Sequence, residues 1–378
     1  MVYLDNAATS FPKAPGVAAA MAEYVEKVGA TINRSSYAAA QEAGLVTLTL
    51  RERLCRLFHH PDPTHAVITA GATASLNLLI KGLLRPGDHC VVSSMEHNAV
   101  MRPLVQLGRE GVSFDRVPCD GEGRMDVSAL PGLIRPNTRL VLIAHASNVS
   151  GTVQDAAAVG RICRDRGIPF ALDAAQSAGH MDVDFMALGL SALAVPGHKG
   201  LLGPQGIGAL LLTPELAKSL TPLIAGGTGS ASDSEELPDW MPDRFESGTP
   251  NLPGIYGWEA ALRWIEETGV EKLAAHEAAL TARFLDGVSA LKNVRLYGPR
   301  TTKGRIGVIS LGFTDCDNAD AAWRLEREHG VLTRCGLHCA PAAHRSLGSF
   351  PEGSVRFSIG WANTESDVDA ALGAIAEI

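Results

Sequence analysis

The chain carries Phe170-Ala171-Leu172-Asp173-Ala174-Ala175-Gln176 and, after one more short apolar run, Pro196-Gly197-His198-Lys199-Gly200. The first segment predicts a buried strand that ends in a carboxylate, which is costly to bury unless it meets a cation or several donors. The second places a lysine beside glycines, which let a backbone approach a bound ring closely. Pyridoxal phosphate (PLP) needs an amine that holds it as a Schiff base and a carboxylate that keeps its ring nitrogen protonated. We therefore expect Lys199 and Asp173 to fill these roles, although alone Asp173 could cap a helix and Lys199 could lie at the surface.

Strand and helix patterns alternate around these two segments. Seven short apolar runs predict strands, at 65–68, 89–93, 114–117, 140–145, 170–173, 192–195 and 208–212. Helical patterns accompany them, at 16–27, 41–57, 73–83, 156–165 and 214–220. This alternation indicates an α/β fold with a mostly parallel seven-stranded sheet between helices. Such sheets bind ligands outside the carboxyl ends of their strands.

The remainder of the chain predicts a smaller α+β unit. Its helices and strands are expected at 257–267, 271–291, 294–296, 308–313, 319–329 and 364–378. We expect a large domain over 16–250 and a small domain formed by 1–15 and 251–378. The segment 225–243 is rich in Gly, Ser, Asp and Glu and has no helical or strand period, so it predicts a long loop, either a functional cover or a mobile connector.

Composition excludes several classes of protein. With 378 residues and 46% hydrophobic content, the chain is long enough for two cores. A net charge of −8 argues against a nucleic-acid or anionic-membrane surface. No apolar run approaches the roughly 20 residues that cross a bilayer, and no leader segment is evident, so we expect a cytoplasmic protein. The seven cysteines lack zinc-site or disulfide spacing, and we expect no metal.

Other polar residues fall where the same cofactor would need contacts. Gly71-Ala72-Thr73 follows a predicted strand and opens a helix, so its N–H groups and the Thr73 hydroxyl could hold a phosphate, or simply form a capped helix start. Gln176 could donate to the phenolic oxygen of the cofactor. His97 could lie over the ring face and relay protons, although a lone histidine is often only packed.

The segment Arg334-Cys335-Gly336-Leu337-His338-Cys339-Ala340-Pro341 is the candidate source of a nucleophile. A cysteine near a histidine, in a loop with Gly and Pro, is typical of an accessible and partly ionised thiol. The alternative is an inert, buried Cys339, and Cys335 competes with it as the nucleophile. Arg334 and Arg356 add cations, and a planar guanidinium can hold a substrate carboxylate through two parallel hydrogen bonds. This would suit an amino-acid substrate.

Together these residues resemble the class V aminotransferase family, and within it the cysteine desulfurase and selenocysteine lyase group. The resemblance covers almost the full length of the chain, and the matching segments occur in the order that the family has. The matching segments are Tyr3-Leu4-Asp5-Asn6-Ala7-Ala8-Thr9, Met95-Glu96-His97, Ser147-Asn148-Val149-Ser150-Gly151-Thr152, Asp173-Ala174-Ala175-Gln176, Gly197-His198-Lys199, Phe245-Glu246-Ser247-Gly248-Thr249-Pro250-Asn251, the Cys339 loop and Arg356.

The resemblance implies the PLP-dependent transferase fold type I, with pyridoxal 5'-phosphate as the cofactor. It implies that Lys199 holds the cofactor, Asp173 pairs with the pyridine nitrogen and His97 stacks on the ring. It also implies that Gln176 and Asn148 contact the cofactor oxygen and the substrate. The implied phosphate contacts come from Ala72, Thr73 and His198, and from Thr249 of the second subunit of an obligate homodimer. Arg356, with Arg334, is implied to bind the substrate carboxylate, and Cys339 to attack the substrate sulfur.

The implied reaction converts L-cysteine to L-alanine and leaves the sulfur on Cys339 as a persulfide, with Lys199 removing the Cα proton. L-selenocysteine is a second plausible substrate. The short spacing between Cys339 and Arg356 is similar to that of group II members of this family, which implies a dedicated sulfur-acceptor protein. The alternatives are a selenocysteine lyase, a cysteine or cystine β-lyase, an aminotransferase, or a non-catalytic scaffold of the same fold.

The sequence departs from the family pattern at two places. Pro196 stands where relatives commonly have a hydroxyl residue in the phosphate cup, so the phosphate would depend more on Thr73, His198 and Thr249. Asn33-Arg34-Ser35-Ser36-Tyr37 lacks the histidine usual at about Tyr37, which leaves substrate preference open on that side of the entrance.

Overall fold

A computed structural model describes residues 1–33 and 35–378 of the chain. The strands of the described residues are β1 Val2–Tyr3, β2 Ala66–Thr69, β3 His89–Ser93, β4 Ser113–Val117, β5 Thr138–Ala144, β6 Phe170–Asp173, β7 Ala192–Pro196, β8 Gly208–Leu212, β9 Val294–Tyr297, β10 Val308–Phe313, β11 Val331–Leu332, β12 Arg334–Gly336 and β13 Ser354–Ser358. The α-helices are α1 Val17–Glu23, α2 Ala38–Leu57, α3 Ala72–Leu83, α4 Asn98–Gly108, α5 Leu130–Leu133, α6 Ala156–Asp165, α7 Pro214–Ser219, α8 Leu252–Thr268, α9 Val270–Ser289, α10 Asn318–Arg327, α11 Pro341–Leu347 and α12 Glu365–Glu377.

The large sheet has seven strands in the order β2-β8-β7-β6-β5-β3-β4. Strands β3 to β7 pair in parallel, and β8 runs antiparallel to both β7 and β2. Strand β6, which ends at Asp173, is central. Apolar side chains alternate between two buried clusters, one on each face of the sheet, as in a sheet covered by helices on both sides. The predicted α/β fold with a mostly parallel seven-stranded sheet is confirmed.

The element predictions for this sheet hold with small shifts of their ends. Helix α4 was missed, because Pro103 lies inside it and proline normally indicates a helix break. Segment 225–243 contains no α-helix or strand, as expected, and a 3₁₀ helix begins at its last residue, Asp243. Its role as a cover stays a prediction. No helix of the described residues is long and apolar enough to span a bilayer.

A second, four-stranded sheet in the order β12-β13-β10-β9 is antiparallel throughout. It packs against α9, α10 and α12 around its own apolar cluster, which also includes Leu4. Strand β1 pairs in parallel with β11, so the start of the chain joins this unit. Strands β12 and β13 and helix α11 were not predicted, because each is short and carries charged or turn residues. Helix α8 packs on α1 and α2, and its buried residues belong to the core of the large sheet. The division into 16–250 and 251–378 stays a prediction.

The glycines around Lys199 are required by close packing against protein atoms. A methyl group on Gly200 would lie 2.3 Å from the carbonyl oxygen of Ala178 and 2.6 Å from the ring of His180. On Gly197 it would lie 2.9 Å from the side chain of Ile207. The turn that presents Lys199 therefore has little room to shift.

Replacing Gly200 by alanine should lower the free energy of unfolding by about 1–3 kcal/mol, because the added methyl overpacks this turn. Gly44→Ala is the matched control, since a methyl there meets nothing within 4 Å in the middle of α2 and should stabilise the helix by about 0.5–1 kcal/mol. Urea unfolding of both variants measures the difference. Equal midpoints would contradict the packing described for Gly200.

Candidate active site

The main cavity of the described structure opens at the carboxyl ends of β5, β6 and β7 and has a volume of about 570 Å³. It lies where an α/β sheet is expected to bind its ligand. Its wall contains eight of the predicted site residues: Ala72, Thr73, His97, Asn148, Asp173, Gln176, His198 and Lys199. Pro196 also lines it. The predicted residues Thr249, Arg334, Cys339 and Arg356 do not form part of this wall.

Asp173 and Lys199 shift each other's protonation inside this cavity. The Asp173 side chain is buried, and one carboxylate oxygen accepts a hydrogen bond of 3.0 Å from the backbone N–H of Ala175. Burial raises the pKa of Asp173, and the nearby charge of Lys199 opposes that rise. Burial lowers the pKa of Lys199 to about 8, with Asp173 opposing the change. A lysine amine with this pKa is partly neutral near neutral pH, so it can act as a nucleophile and as a base.

His97 is held in one orientation by the start of α4. Its Nδ1 atom accepts a hydrogen bond of 2.9 Å from the backbone N–H of Ala99, so the ring caps the helix. Burial, together with the positive charges of Lys199 and Arg334, lowers the pKa of His97 to about 4. The ring is therefore neutral at pH 7 with its proton on Nε2. Sequence reasoning missed this cap because α4 itself was missed.

The start of α3 and the side chain of His198 form a polar end of the cavity. Gly71 precedes α3, and Gly71, Ala72, Thr73 and Ala74 all line the cavity. The Nδ1 atom of His198 is buried and has no hydrogen-bond partner among the described residues. Burial lowers the pKa of His198 to about 4. Free helix N–H groups, a hydroxyl and an unpartnered imidazole are the donors that a phosphate group needs.

The loop that carries Cys339 is tied to this cavity by two hydrogen bonds. The backbone N–H of Asn98 donates to the carbonyl of Cys339 at 2.7 Å, and Asn98 directly follows His97. The side-chain amide of Asn148 donates to the carbonyl of His338 at 2.7 Å. His338 and Cys339 both adopt left-handed backbone angles, with φ of 47° and 58°, a conformation that non-glycine residues rarely adopt. The Cys339 side chain is exposed.

The two candidate thiols differ in their surroundings. Cys335 lies in β12, is half-buried against the apolar cluster of the small sheet, and burial raises its pKa. Cys339 is exposed and lies next to the hydrogen bonds that join its loop to the cavity. A raised pKa reduces the fraction of thiolate, the reactive form. The structure therefore favours Cys339 over Cys335 as the nucleophile.

Arg356 is buried and already has partners. Its Nη2 atom donates to the Asp5 carboxylate at 2.8 Å, and its Nη1 atom donates to the carbonyl of Asn148 at 3.2 Å. Its Nε atom is buried without a partner among the described residues. Arg334 pairs with Arg356 across β12 and β13 and is exposed. The ion pair with Asp5 was not predicted, because the two residues are far apart in sequence.

Gln176 lines the main cavity, whereas Thr249 lies outside it. The side-chain amide of Gln176 donates to the carbonyl of Ala7 at 3.0 Å, and the residue is buried in the cavity wall. Thr249 is exposed and lines a neighbouring cavity of about 510 Å³. The segment before Thr249 is anchored by Glu246, whose carboxylate accepts hydrogen bonds from Arg51 and from the backbone N–H of Ile68.

Two further polar residues support the site and were not predicted. The Glu96 carboxyl is buried between β3 and β5, where it accepts hydrogen bonds from the N–H groups of Ser93 and Ala144, and burial raises its pKa to about 8. The Lys13 ammonium donates to the carbonyl of His198 at 2.9 Å. Glu96 lies in the matching segment Met95-Glu96-His97 but was given no role, and Lys13 lies in no motif, because both act through contacts between distant segments.

A lysine and a buried aspartate at the carboxyl edge of this sheet place the chain in a class of cofactor-binding α/β enzymes. The family model described as "Aminotransferase class-V" matches residues 2–371, and the chain belongs to this family.

Three of the proteins similar to this chain are described as cysteine desulfurases. A "Probable cysteine desulfurase" of Methanothermobacter thermautotrophicus is 34% identical over 97% of this chain and 92% of its own length. "Cysteine desulfurase CsdA" of Escherichia coli is 30% identical over 99% of this chain and 93% of its own length. The apo structure of a cysteine desulfurase from Thermococcus onnurineus NA1 superposes with a TM-score of 0.93 at 33% identity and covers 100% of this chain and 94% of its own.

In cofactor-free protein, Asp173→Asn should move the pKa of Lys199 below about 8, because the Asp173 charge favours the protonated amine. The pH dependence of Lys199 acetylation, followed by mass spectrometry, measures this pKa without enzyme activity. Asp182→Asn is the matched control, since that carboxylate is exposed and paired with His59. An unchanged or higher midpoint in Asp173→Asn would refute the coupling.

Proposed function

We propose that this chain is a PLP-dependent cysteine desulfurase that converts L-cysteine to L-alanine and takes the sulfur onto Cys339. One observation carries the proposal: an exposed cysteine is tied by its loop to the wall of a cavity that holds a lysine of lowered pKa. The family membership and the desulfurase relatives support it.

The cavity residues fit the cofactor. Lys199 would hold it, Asp173 would pair with its ring nitrogen, and His97 would lie against the ring. Ala72, Thr73 and His198 supply the phosphate donors, and the unpartnered Nδ1 of His198 is the best sign that a group is expected there. When bound, PLP supplies an electron sink for negative charge at the substrate Cα.

Five residues of this chain besides Cys339 would act on or bind the substrate. The Lys199 amine has a pKa of about 8, so a neutral fraction is available to take the Cα proton at neutral pH. Arg356, with Arg334, would hold the substrate carboxylate, and the Asp5 ion pair keeps the Arg356 guanidinium in place. Gln176 and Asn148 would contact the cofactor oxygen and the substrate. The loop bond from Asn148 to His338 then couples substrate binding to the position of Cys339.

The sulfur transfer balances without an added oxidant. The Cys339 thiolate attacks the substrate sulfur, an S–S bond forms, and the bond between Cβ and sulfur breaks with its electron pair staying on carbon. Protons then added at Cβ and Cα give L-alanine. Cys339 is left as a persulfide: its two sulfur atoms are oxidised by the two electrons by which Cβ is reduced.

Cys339→Ser should abolish alanine formation from L-cysteine, because no thiolate remains to take the sulfur. Cys335→Ser is the matched control and should keep nearly full activity, since that thiol is half-buried away from the cavity. Alanine released from L-cysteine and from L-selenocysteine, with dithiothreitol as acceptor, is the measurement for all three proteins.

Equal alanine from L-cysteine with wild type and Cys339→Ser would refute the persulfide mechanism and favour a β-lyase. Activity of Cys339→Ser on L-selenocysteine alone would identify selenocysteine as a substrate that needs no protein thiol.

We also propose that two copies form a homodimer in which Thr249 reaches the phosphate site of the partner subunit. Thr249 lies outside the main cavity of its own chain. The neighbouring cavity that it lines also contains the exposed side chains of Leu223 and Ile224, which are 45% and 70% exposed. Exposed apolar side chains in one place are typical of an interface.

Light scattering in solution should give a mass of twice 39.8 kDa for wild type. Ile224→Glu should lower this mass at micromolar concentration and weaken cofactor retention, because a charge would be buried in the interface. Met186→Glu changes an exposed methionine elsewhere and serves as the control. A monomeric wild type would rule out the proposed dimer.

The short spacing from Cys339 to Arg356 leads us to propose a dedicated protein acceptor for the sulfur, in a cytoplasmic setting. A short loop limits how far the persulfide can travel, so the acceptor would have to come to Cys339.

A further inference from the structure

A second cavity, of about 520 Å³, lies beside the Cys339 loop. Helix α4, which His97 caps, forms one wall, and the start of α11 forms another. Pro341 and Ala342 in that wall come directly after Cys339-Ala340 in the chain. The cavity is therefore continuous with the loop that carries the nucleophile, but it is separate from the main cavity.

Four arginines line this second cavity: Arg102, Arg109, Arg116 and Arg345. We call it the arginine cavity. All four are exposed, and none has a carboxylate within 4.0 Å among the residues described here. The acidic residue in the wall is Glu96, and burial raises its pKa to about 8. The arginine cavity is thus strongly positive in a chain with a net charge of −8.

The positive charges are spread too widely for one small anion. Arg102 lies in α4 and Arg109 directly follows its last residue, seven positions further on, which is about 10 Å along a helix axis. Arg116 extends the positive charge onto the neighbouring end of β4 and Arg345 onto α11. Val105, 48% exposed, adds an apolar contact between them. Separated charges around an apolar side chain suit a protein surface that carries several carboxylates.

We propose that the arginine cavity is the docking surface for the sulfur-accepting protein, and that this acceptor presents carboxylates around its reactive thiol. The inference rests on the proposed function, because it needs a persulfide on Cys339. An acidic acceptor would be repelled by the overall charge of this chain. The arginine cavity reverses that repulsion at the place where the transfer occurs, which raises the rate of encounter.

The transfer itself needs no other reactant. The acceptor thiolate attacks the outer sulfur of the Cys339 persulfide, a new S–S bond forms on the acceptor, and the Cys339 thiolate leaves with the electron pair of the old bond. The persulfide moves to the acceptor, and Cys339 returns to its starting state.

Two synthetic peptides test the inference with the PLP-loaded enzyme. Each has one central cysteine, flanked by glutamates in one peptide and by glutamines in the other. Alanine formation from L-cysteine at low ionic strength is followed with each peptide as the only added acceptor. We expect the glutamate peptide to reach half-maximal rate at a concentration about tenfold or more below that of the glutamine peptide, and added salt to reduce this preference.

The double variant R109E/R116E should lose the preference, and R109K/R116K should keep most of it. R161E/R166E changes two exposed arginines, one in α6 and one directly after it, and is the matched control that should behave as wild type. With dithiothreitol as acceptor, the R109E/R116E enzyme should form alanine at the wild-type rate, because neither arginine lines the main cavity.

Three outcomes would overturn the docking surface while leaving the desulfurase activity intact. The first is equal use of both peptides by wild type, and the second is a loss of preference in R161E/R166E as large as that in R109E/R116E. The third is an effect of inorganic pyrophosphate on the dithiothreitol-supported rate of wild type that is absent in R109E/R116E, which would indicate a small-anion site. Absence of alanine with dithiothreitol in wild type would instead refute the proposed function.

Discussion

The burial of a carboxylate at the end of the central strand is the constraint on which the site depends. Asp173 ends β6, in the middle of the seven-stranded sheet, where water cannot solvate its charge. Such a group needs an opposing cation, and Lys199 follows the end of the neighbouring strand β7. The same burial that raises the pKa of Asp173 lowers that of Lys199 to about 8. Parallel pairing of β6 and β7 thus brings together the buried carboxylate of Asp173 and the reactive amine of Lys199.

Cys339, the proposed nucleophile, lies in the other unit of the protein, so hydrogen bonds to its loop have to position it. Asn98 and Asn148 hold the loop from the side of the large sheet. The ion pair of Arg356 with Asp5 holds the start of the chain against the small sheet, and Arg356 also donates to the carbonyl of Asn148. The Cys339 loop and Arg356 therefore share one partner, Asn148. A change at that residue would move both.

The charges near the Cys339 thiol differ between the interior of the protein and its surface. The imidazoles of His97 and His198 are neutral at pH 7, because burial and neighbouring cations lower the pKa of each to about 4. Positive charge is concentrated instead on arginines, which do not lose their protons. The arginine cavity extends this positive region to the surface beside Cys339, on a chain that is acidic overall. The interior is thus suited to an amino-acid substrate and the exterior to an acidic protein.

The sequence alone determined the α/β sheet, the family and eight of the residues that line the main cavity, because these depend on local patterns. Apolar runs of four to seven residues mark the strands, and polar residues at the strand ends meet at one edge in any parallel sheet. It did not determine α4, which Pro103 obscured, or the different surroundings of Cys335 and Cys339. Only the tertiary structure decided those points, together with the Arg356 and Asp5 ion pair and the arginine cavity. Burial, pKa shifts and clustered charges arise from contacts between segments that are distant in the chain, and no local pattern records them.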